Sequence, residues 1–447
     1  MITDFIEGAK ERYNVSEIAQ NEWLEFAMYT VESRAIPNMI DSLKPVQRFY
    51  LYSSIENSNK EFKKVSAVAG IISQYGYNHG ETSAASAGQL MAADWNNNIT
   101  LVEGRGSFGT RLIPAAAAAR YTYTKLHRNF DKYMKDHDLC PAHDDPEHEP
   151  PAFYLPVIPL VLVNGVKGIA TGFATNILPR DPKDISKACL EYIKTGEIKS
   201  KIPIKFPHFR GKTEMVEDGK YVCYGSFEKK GKTVLEITEV PYGFDREGYV
   251  KVLDSLEDAG DIVGYDDRCG KDGFGFEVKL KQTSSAKWDD AKIYNKFKLA
   301  KPFSENITVI DQNGKLKEYN DERDLIKDFC DYRFGVLTKR IEARQKEYSE
   351  ELRWLKVKLQ FVRAVLDDKI VFKGKKKANV VEQILSATDA SKEDADKLLR
   401  MNIISLTSEM VDELVKQIKV TEKTLKFWET TTETKQFVAD IEELGVD

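Results

Sequence analysis

Cysteine is scarce and unpatterned in this chain of 447 residues: there are five, Cys140, Cys189, Cys223, Cys269 and Cys330, and none stands in CxxC spacing. An odd, scattered set excludes a disulfide scaffold and fits a reducing compartment. No apolar run approaches the roughly 18 residues that a membrane span needs. Met1–Lys10 carries Asp4 and Glu7 and lacks the basic-then-apolar layout of a secretion leader. A cytoplasmic protein without a membrane contact is therefore expected. No G-x-x-x-x-G-K-[ST] run occurs, so a phosphate-cradling P-loop is excluded. Neither sign of charge dominates. With 66 Lys+Arg against 71 Asp+Glu the formal net charge is −5, which excludes a simple cationic coat. What is there is globular: 42% apolar and 31% charged residues, enough for a core of ordinary size. At roughly 150 residues per domain the length predicts about three domains.

The charge is unevenly placed. Residues 1–32 hold seven acids and two bases, whereas residues 33–128 hold eleven bases and six acids. A basic stretch inside an acidic chain is a candidate polyanion surface, or a solvated face. Residues 1–32 read as amphipathic helices around Phe5, Tyr13, Trp23 and Phe26. Pro45 suits the first turn of a helix starting near Lys44. Val65–Tyr75 and Ser83–Trp95 predict two more, together a helix-turn-helix module. Ile99–Val102 reads as a short strand before the glycine stretch Gly104-Arg-Gly-Ser-Phe-Gly109. Residues 136–151 read as a polar linker, and Phe153–Val163 as an apolar strand closed by Asn164-Gly165. From Ile202 to about Tyr319 the period is mostly two, as at Phe274, Phe276, Val278 and Leu280, and Asn313-Gly314 marks a hairpin. The last third changes period. Ile341, Tyr348, Leu352, Leu355, Leu359, Val362 and Leu366 form one a/d stripe, and Val411, Leu414, Ile418, Leu425 and Trp428 another. They predict a long antiparallel helical hairpin with a small globular tip between them.

Four groups could carry chemistry. Tyr121 follows Arg120, and a phenol with a pKa of about 10 becomes a nucleophile only where phenolate is stabilised. A guanidinium does that, and also grips a phosphate bidentately. Arg34, Lys44 and Arg48 form a second group; the last two share a helix face. His79 lies between predicted helices and could donate to phosphate. His137, Cys140, His143 and His148 offer zinc-type ligands, yet in a Pro/Asp-rich segment that equally reads as a linker. Each taken alone is also compatible with packing or solvated surface.

Four ordered blocks go further. Ser33-Arg-Ala-Ile-Pro-Asn-Met-Ile-Asp-Ser-Leu-Lys-Pro-Val-Gln-Arg48, Tyr75-Gly-Tyr-Asn-His-Gly-Glu81, Gly104–Arg111 with Ala115–Ala119 and Arg120-Tyr121, and Tyr154–Gly172 together resemble the breakage-reunion (gyrase A-like) region of type IIA DNA topoisomerases. The resemblance spans nearly the whole chain. Length and content look most like the subunits of T4-type bacteriophages. The resemblance implies an α+β multidomain fold: an N-terminal helical segment (1–32), a helix-turn-helix/winged-helix DNA-binding domain with the catalytic tyrosine (33–150), an α+β tower (151–320), and a long antiparallel coiled coil (321–447) with a small helical tip near 370–410 that serves as the C-gate dimerisation contact.

It also implies roles. Tyr121 matches the nucleophile that forms a 5′-phosphotyrosine bond, and Arg120 the arginine that supports the phosphate. Arg34, Lys44, Arg48, His79 and Arg111 match the DNA-binding and transition-state-supporting set. Ile169 matches the apolar wedge that bends the duplex. The sequence departs from the family at Gln47, where gyrases have histidine, at Phe49, where a basic residue is common, and at Tyr77, the first position of the bacterial His-Pro-His motif. Thr82 and Ser86 lie where inhibitor-sensitive positions fall. No Toprim acidic cluster or GHKL-type ATP site is recognisable. The chain is thus expected to bind no cofactor itself, with Mg²⁺ and ATP supplied through a gyrase B-like ATPase/Toprim partner. No gyrase-type wrapping domain follows the arm, so relaxation is expected over introduction of negative supercoils. The expected partners are double-stranded DNA, a second copy of the chain and the ATPase/Toprim subunit, in the host cytoplasm. A non-catalytic DNA-binding or structural coiled-coil protein is the alternative.

Overall fold

The computed structural model describes residues 27–58, 60–281, 288–402 and 406–445. Most of the expected N-terminal helical segment lies outside the described residues. Two compact units result, Met1–Arg333 with Asp440–Asp447, and Phe334–Ala439. The expected boundaries at 150 and 320 both fall inside the first.

In the first unit three helices lead: α1 (Pro45–Ser58), α2 (Val65–Ile71, continued by a tighter turn to Tyr75) and α3 (Glu81–Ala92). Pro45 opens α1 where its missing N–H costs nothing, and the Gln47 side chain accepts from the Lys44 amide at 2.9 Å. Glu81 starts α3 two residues ahead of the expected Ser83, with its charge favourably at the helix N-terminus. Tyr50, Leu51, Val65, Val68, Ala69 and Ala84 are buried between these helices. A Cβ at Gly88 would lie 2.2 Å from the Tyr50 ring, so only glycine lets α3 cross there. Tyr50 then reaches past it to Thr124, 2.6 Å between hydroxyl oxygens.

Thr124 belongs to a small antiparallel sheet of β1 (Lys63–Lys64), β2 (Val102–Arg105) and β3 (Tyr123–Leu126), with β3 central. The strand expected at Ile99–Val102 is displaced to β2. The Asn164 side chain takes both backbone groups of Ile99, at 2.9 and 2.8 Å, and removes them from any ladder. The strand expected over Phe153–Val163 is also corrected. Only Leu155–Pro156 pairs, and Leu160–Asn164 is a helical turn. Pro156 and Pro159 supply no N–H to a ladder, although Leu160–Val163 stay buried. Residues 136–151 are not a free linker: the Glu149 amide donates to the Tyr75 carbonyl at 3.1 Å, and the Asp136 carboxylate lies 2.9 Å from buried Arg333.

The period-two region becomes sheets. A four-stranded antiparallel sheet runs Ser226–Lys230, Val234–Glu239, Phe276–Leu280, Ile262–Asp267. It packs Leu235, Ile237, Phe276 and Val278 against Tyr249 and Leu253 of the helix Arg246–Asp258. The hairpin expected at Asn313-Gly314 joins Ile307–Ile310 to Leu316–Tyr319.

The second unit holds most of a helix that runs Glu322–Leu366, and a return helix Ser408–Thr430. Gln345 donates to the Trp428 carbonyl at 2.8 Å and Lys356 pairs with Glu422 at 2.9 Å, so numbers rise on one helix as they fall on the other. The two a/d stripes meet the intervening helices Lys377–Ala387 and Lys392–Leu398 in one core with Phe361, Val362, Ile384, Leu398 and Leu414. Among the described residues no helix is long and apolar enough to cross a membrane.

Ser391 caps the helix Lys392–Leu398 in a reciprocal box with Asp394, and Arg353 donates to the Asp394 carboxylate at 2.8 Å. The guanidinium, with the Ser391 amide, holds that carboxyl well below the usual range. Replacing Ser391 by Ala is expected to cost about 1 kcal/mol, read from the denaturation midpoint. The stability from Asp394 is complete above its unfolded pKa of about 3.9 and is lost as pH falls through the lower folded value. Melting curves of the parent chain and Asp394→Asn should therefore differ at neutral pH and converge in acid.

Candidate functional site

Tyr121 sits at the end of an irregular stretch. Ala115–Ala119 would favour helix on propensity alone, yet the run is not helical. Alanines bring no side chain to anchor a loop, so neighbours hold this one. Ala117 N–H donates to Ser107 O (3.0 Å), Ser66 N–H to Ala119 O (3.3 Å) and Val65 N–H to Thr122 O (3.0 Å). Gln89 of α3 donates from Nε2 to Ala117 O at 2.7 Å and lies 3.1 Å from Thr122 Oγ1. Tyr121 N–H closes the turn onto Ala118 O at 2.8 Å. The backbone is fixed and the ring is not packed: Tyr121 is 66% exposed, beside fully buried Thr122. The Arg120 guanidinium carbon stands 4.9 Å from the Tyr121 ring centroid, a cation–π distance. A phosphate bound to that guanidinium would lie next to the phenol.

Further cations border the same sheet. Arg105 and Lys125 approach the Phe62 ring at 4.1 and 4.7 Å, and both Lys64 and Arg105 pair across β3 with Tyr123. Sequence reasoning did not single these out. The Lys63-Lys64 doublet was the available signal, but nothing local linked it to Tyr121. Gln89 had no signal at all, since its partners lie about 30 residues away.

A second group assembles around the hairpin Val166–Ile169/Ala174–Ile177. Lys44 donates from Nζ to Lys167 O at 2.9 Å, and its burial lowers the ammonium pKa from the ordinary value. A Cβ at Gly168 would sit 2.0 Å from Ala35 O, so the hairpin lies directly on the segment that carries Arg34. Arg34 itself is exposed on a π-helical turn, Val31–Ala35. Ile169, at the hairpin end, is 78% exposed, and Phe173 across the turn is exposed as well. His79 lies elsewhere, with Nε2 3.0 Å from the Tyr29 hydroxyl and its ring edge-on to Tyr77. Thr82 and Ser86 lie exposed on α3.

Two of the expected cations have carboxylate partners inside the protein. Arg48 is buried and donates to both oxygens of Asp41, at 2.7 and 3.1 Å. Arg111 donates from Nη1 to both oxygens of Glu239, at 3.0 and 3.1 Å, and to the carbonyls of His208 and Val240.

The His/Cys group does not converge. His137 stacks on Phe130, with centroids 5.2 Å apart. Cys140 donates to Asp136 O, and burial pushes its thiol up to about 12. His143 Nε2 and His148 Nδ1 face each other at 3.3 Å. Among the described residues no group of three or more His, Cys, Asp or Glu could hold a metal ion.

A family model that describes the A-subunits of DNA gyrase and topoisomerase IV matches residues 34–444. The chain is 43% identical over 440 residues to the DNA topoisomerase medium subunit of Enterobacteria phage T4, covering 96% of this chain and 98% of that one. It is 27% identical over 492 residues to DNA topoisomerase 2 of Plasmodium falciparum (isolate K1 / Thailand), covering 99% of this chain but 35% of that one, so it spans about a third of that relative's length. Among solved structures, that of the Plasmodium falciparum topoisomerase II DNA-binding, cleavage and re-ligation domain superposes with a TM-score of 0.88 and 28% identity, over 96% of this chain and 64% of that one. The resemblance read from the sequence blocks is borne out.

Glu239 is 2% exposed and without Arg111 would keep only the more distant Arg210 guanidinium, at 3.5 Å, and the amides of Arg210 and Val240. Arg111→Ala is therefore expected to cost about 1–3 kcal/mol in a denaturation series without DNA. A folded, equally stable Arg111→Ala protein with weakened DNA binding would instead make Arg111 a DNA contact.

Proposed function

The chain belongs to the DNA gyrase/topoisomerase IV A-subunit family, and from that premise we propose that it is the DNA cleavage and religation component of a type IIA DNA topoisomerase, with Tyr121 as nucleophile. The observation that carries the proposal is an exposed phenol on a clamped backbone with a guanidinium against its ring. An exposed tyrosine serves packing poorly. A fixed one beside a phosphate ligand suits in-line attack.

In this reading the Tyr121 phenolic oxygen attacks a backbone phosphorus. The new O–P bond forms as the bond from phosphorus to the 3′ oxygen breaks. The phenolic proton is released, and the 3′ oxygen departs and takes up a proton. Arg120 holds the non-bridging oxygens and offsets their developing charge. The phosphotyrosine conserves the diester's bond energy, so resealing is the reverse step and needs no ATP. Phosphate contacts from Arg34, Lys64 and Arg105 position the duplex and carry little sequence information. Ile169 enters a base step and bends the duplex, exchanging unstacking energy for wrapped contact.

The three helices with their small sheet are the winged-helix domain (33–150), the following sheets the tower (151–320), and the helical hairpin the arm (321–447). Two copies meet through the tip near 370–410 and place one Tyr121 on each strand. A second duplex passes through the transient double-strand break, and DNA is relaxed and decatenated. Mg²⁺ and ATP come with an ATPase/Toprim partner. That Arg120 and Tyr121 are exposed together disfavours the non-catalytic alternative.

The test is a detergent-quenched cleavage reaction with supercoiled DNA, Mg²⁺, ATP and the ATPase/Toprim partner. The expected product is a 5′-linked adduct mapping to Tyr121, with none in Tyr121→Phe. Arg120→Ala should slow adduct formation roughly 100-fold with duplex affinity less affected. Ile169→Ala should reduce duplex bending, read by energy transfer between the DNA ends. Salt-sensitive DNA binding with no adduct in the parent protein would return the chain to the binding class.

A further inference from the structure

We infer that Gln89 is a positioning residue for the Tyr121 nucleophile, an assignment that rests on the cleavage reading above. The loop from Ala115 to Tyr121 has five alanines in succession and no side-chain anchor of its own. Its other holds, from Val65, Ser66 and Ser107, are backbone to backbone. Among the described residues Gln89 supplies the side-chain hold. Its single amide nitrogen is 2.7 Å from Ala117 O and 3.1 Å from Thr122 Oγ1, so its two N–H groups span both ends of the segment 117–122. One end is four residues before Tyr121 and the other is the residue after it.

The direction of the restraint matters. Thr122 is fully buried while Tyr121 is exposed, the alternation that extended backbone gives to neighbours. Holding Ala117 O and Thr122 Oγ1 at the same nitrogen fixes the register of that alternation and hence the side from which the phenol projects. Gln89 sits on α3, whose Gly88 packs on Tyr50, and Tyr50 in turn bonds Thr124 of β3. The amide therefore projects from a framework tied to both sides of the loop. Gln89 does not reach the phenol and is not itself a catalytic residue.

Gln89→Met keeps length and bulk and removes both N–H groups; Gln89→Glu keeps shape and polarity and removes the same donors. Each is assembled with the ATPase/Toprim partner, then compared with the parent chain in three readouts: single-turnover cleavage at saturating duplex, duplex Kd, and thermal midpoint. A cleavage rate lowered roughly 10-fold or more, with Kd and midpoint unchanged, is expected for both. A rate within twofold of the parent in either variant overturns the assignment. So does a rate loss accompanied by a matching fall in midpoint or duplex affinity, which makes Gln89 a packing residue. If the parent chain itself forms no adduct at Tyr121, the cleavage reading fails and this inference with it. If the parent cleaves and the variants cleave equally, only the positioning role fails.

Discussion

One buried carboxylate, that of Asp41, organises the segment on which the first candidate block depends. It accepts from Arg48 through both oxygens, from the Leu43 amide at 3.0 Å and from the Tyr154 amide at 3.1 Å. Those contacts fix the turn before α1, one face of α1, and a chain segment more than a hundred residues away. An ion pair this deeply buried contributes little net stability, but its geometry is unforgiving, because either charge alone would be costly. Its product is direction. With the turn held, Lys44 points at Lys167 O rather than into solvent, and the hairpin that ends in Ile169 rests on Ala35. Arg48 thus orders, from behind, the surface of Lys44 and Ile169 that the proposal gives to DNA.

The proposed nucleophile, Tyr121, poses the opposite problem. A nucleophile for a polymer substrate has to project, and a projecting side chain makes few contacts that could order it. The chain resolves this by ordering the backbone in place of the side chain. Neighbouring Thr122 and, in β3, Thr124 are buried, while Tyr121 is left outside. A run of alanines suits such a loop for the reason that makes it look helical in isolation: no bulk opposes the close approach of Ser107, α2 and α3. Tertiary hydrogen bonds decide the conformation, and intrinsic propensity, worth well under 1 kcal/mol per residue, is overruled.

What the sequence made legible follows from range. Helices α1 to α3, the Asn313-Gly314 hairpin and the two helices that carry the a/d stripes are written in local periodicity, and each appears within a few residues of where the spacing placed it, although Leu366, last of the first stripe, is exposed. The strands expected at 99–102 and 153–163 fail for non-local and local reasons respectively. Asn164, 65 residues away, takes the Ile99 ladder groups, whereas Pro156 and Pro159 were already visible and outweigh the apolar run. The site divides the same way. Adjacent Arg120 and Tyr121 could be paired by eye. That Arg111 would meet Glu239, 128 residues on, or that Gln89 would reach Ala117, depends on packing that no window of sequence contains.

The sorting of cations by partner also explains how a chain of net charge −5 serves a polyanion. A guanidinium facing a buried carboxylate, as Arg48, Arg111 and Arg180 do, contributes almost no field at the surface. Among the described residues, Arg34, Lys64, Arg105 and Arg120 have no carboxylate within ion-pair reach, and Lys64, Arg105 and Arg120 lie on or beside the small sheet that Tyr121 precedes. Attraction to phosphate scales with such uncompensated charges and with counterions displaced locally, not with the total. Acidic residues elsewhere are screened beyond a Debye length of about 8 Å at physiological salt. Under the proposed reading, the cations around Tyr121 let a net-acidic chain offer a duplex a locally basic face on which the phenol meets the backbone.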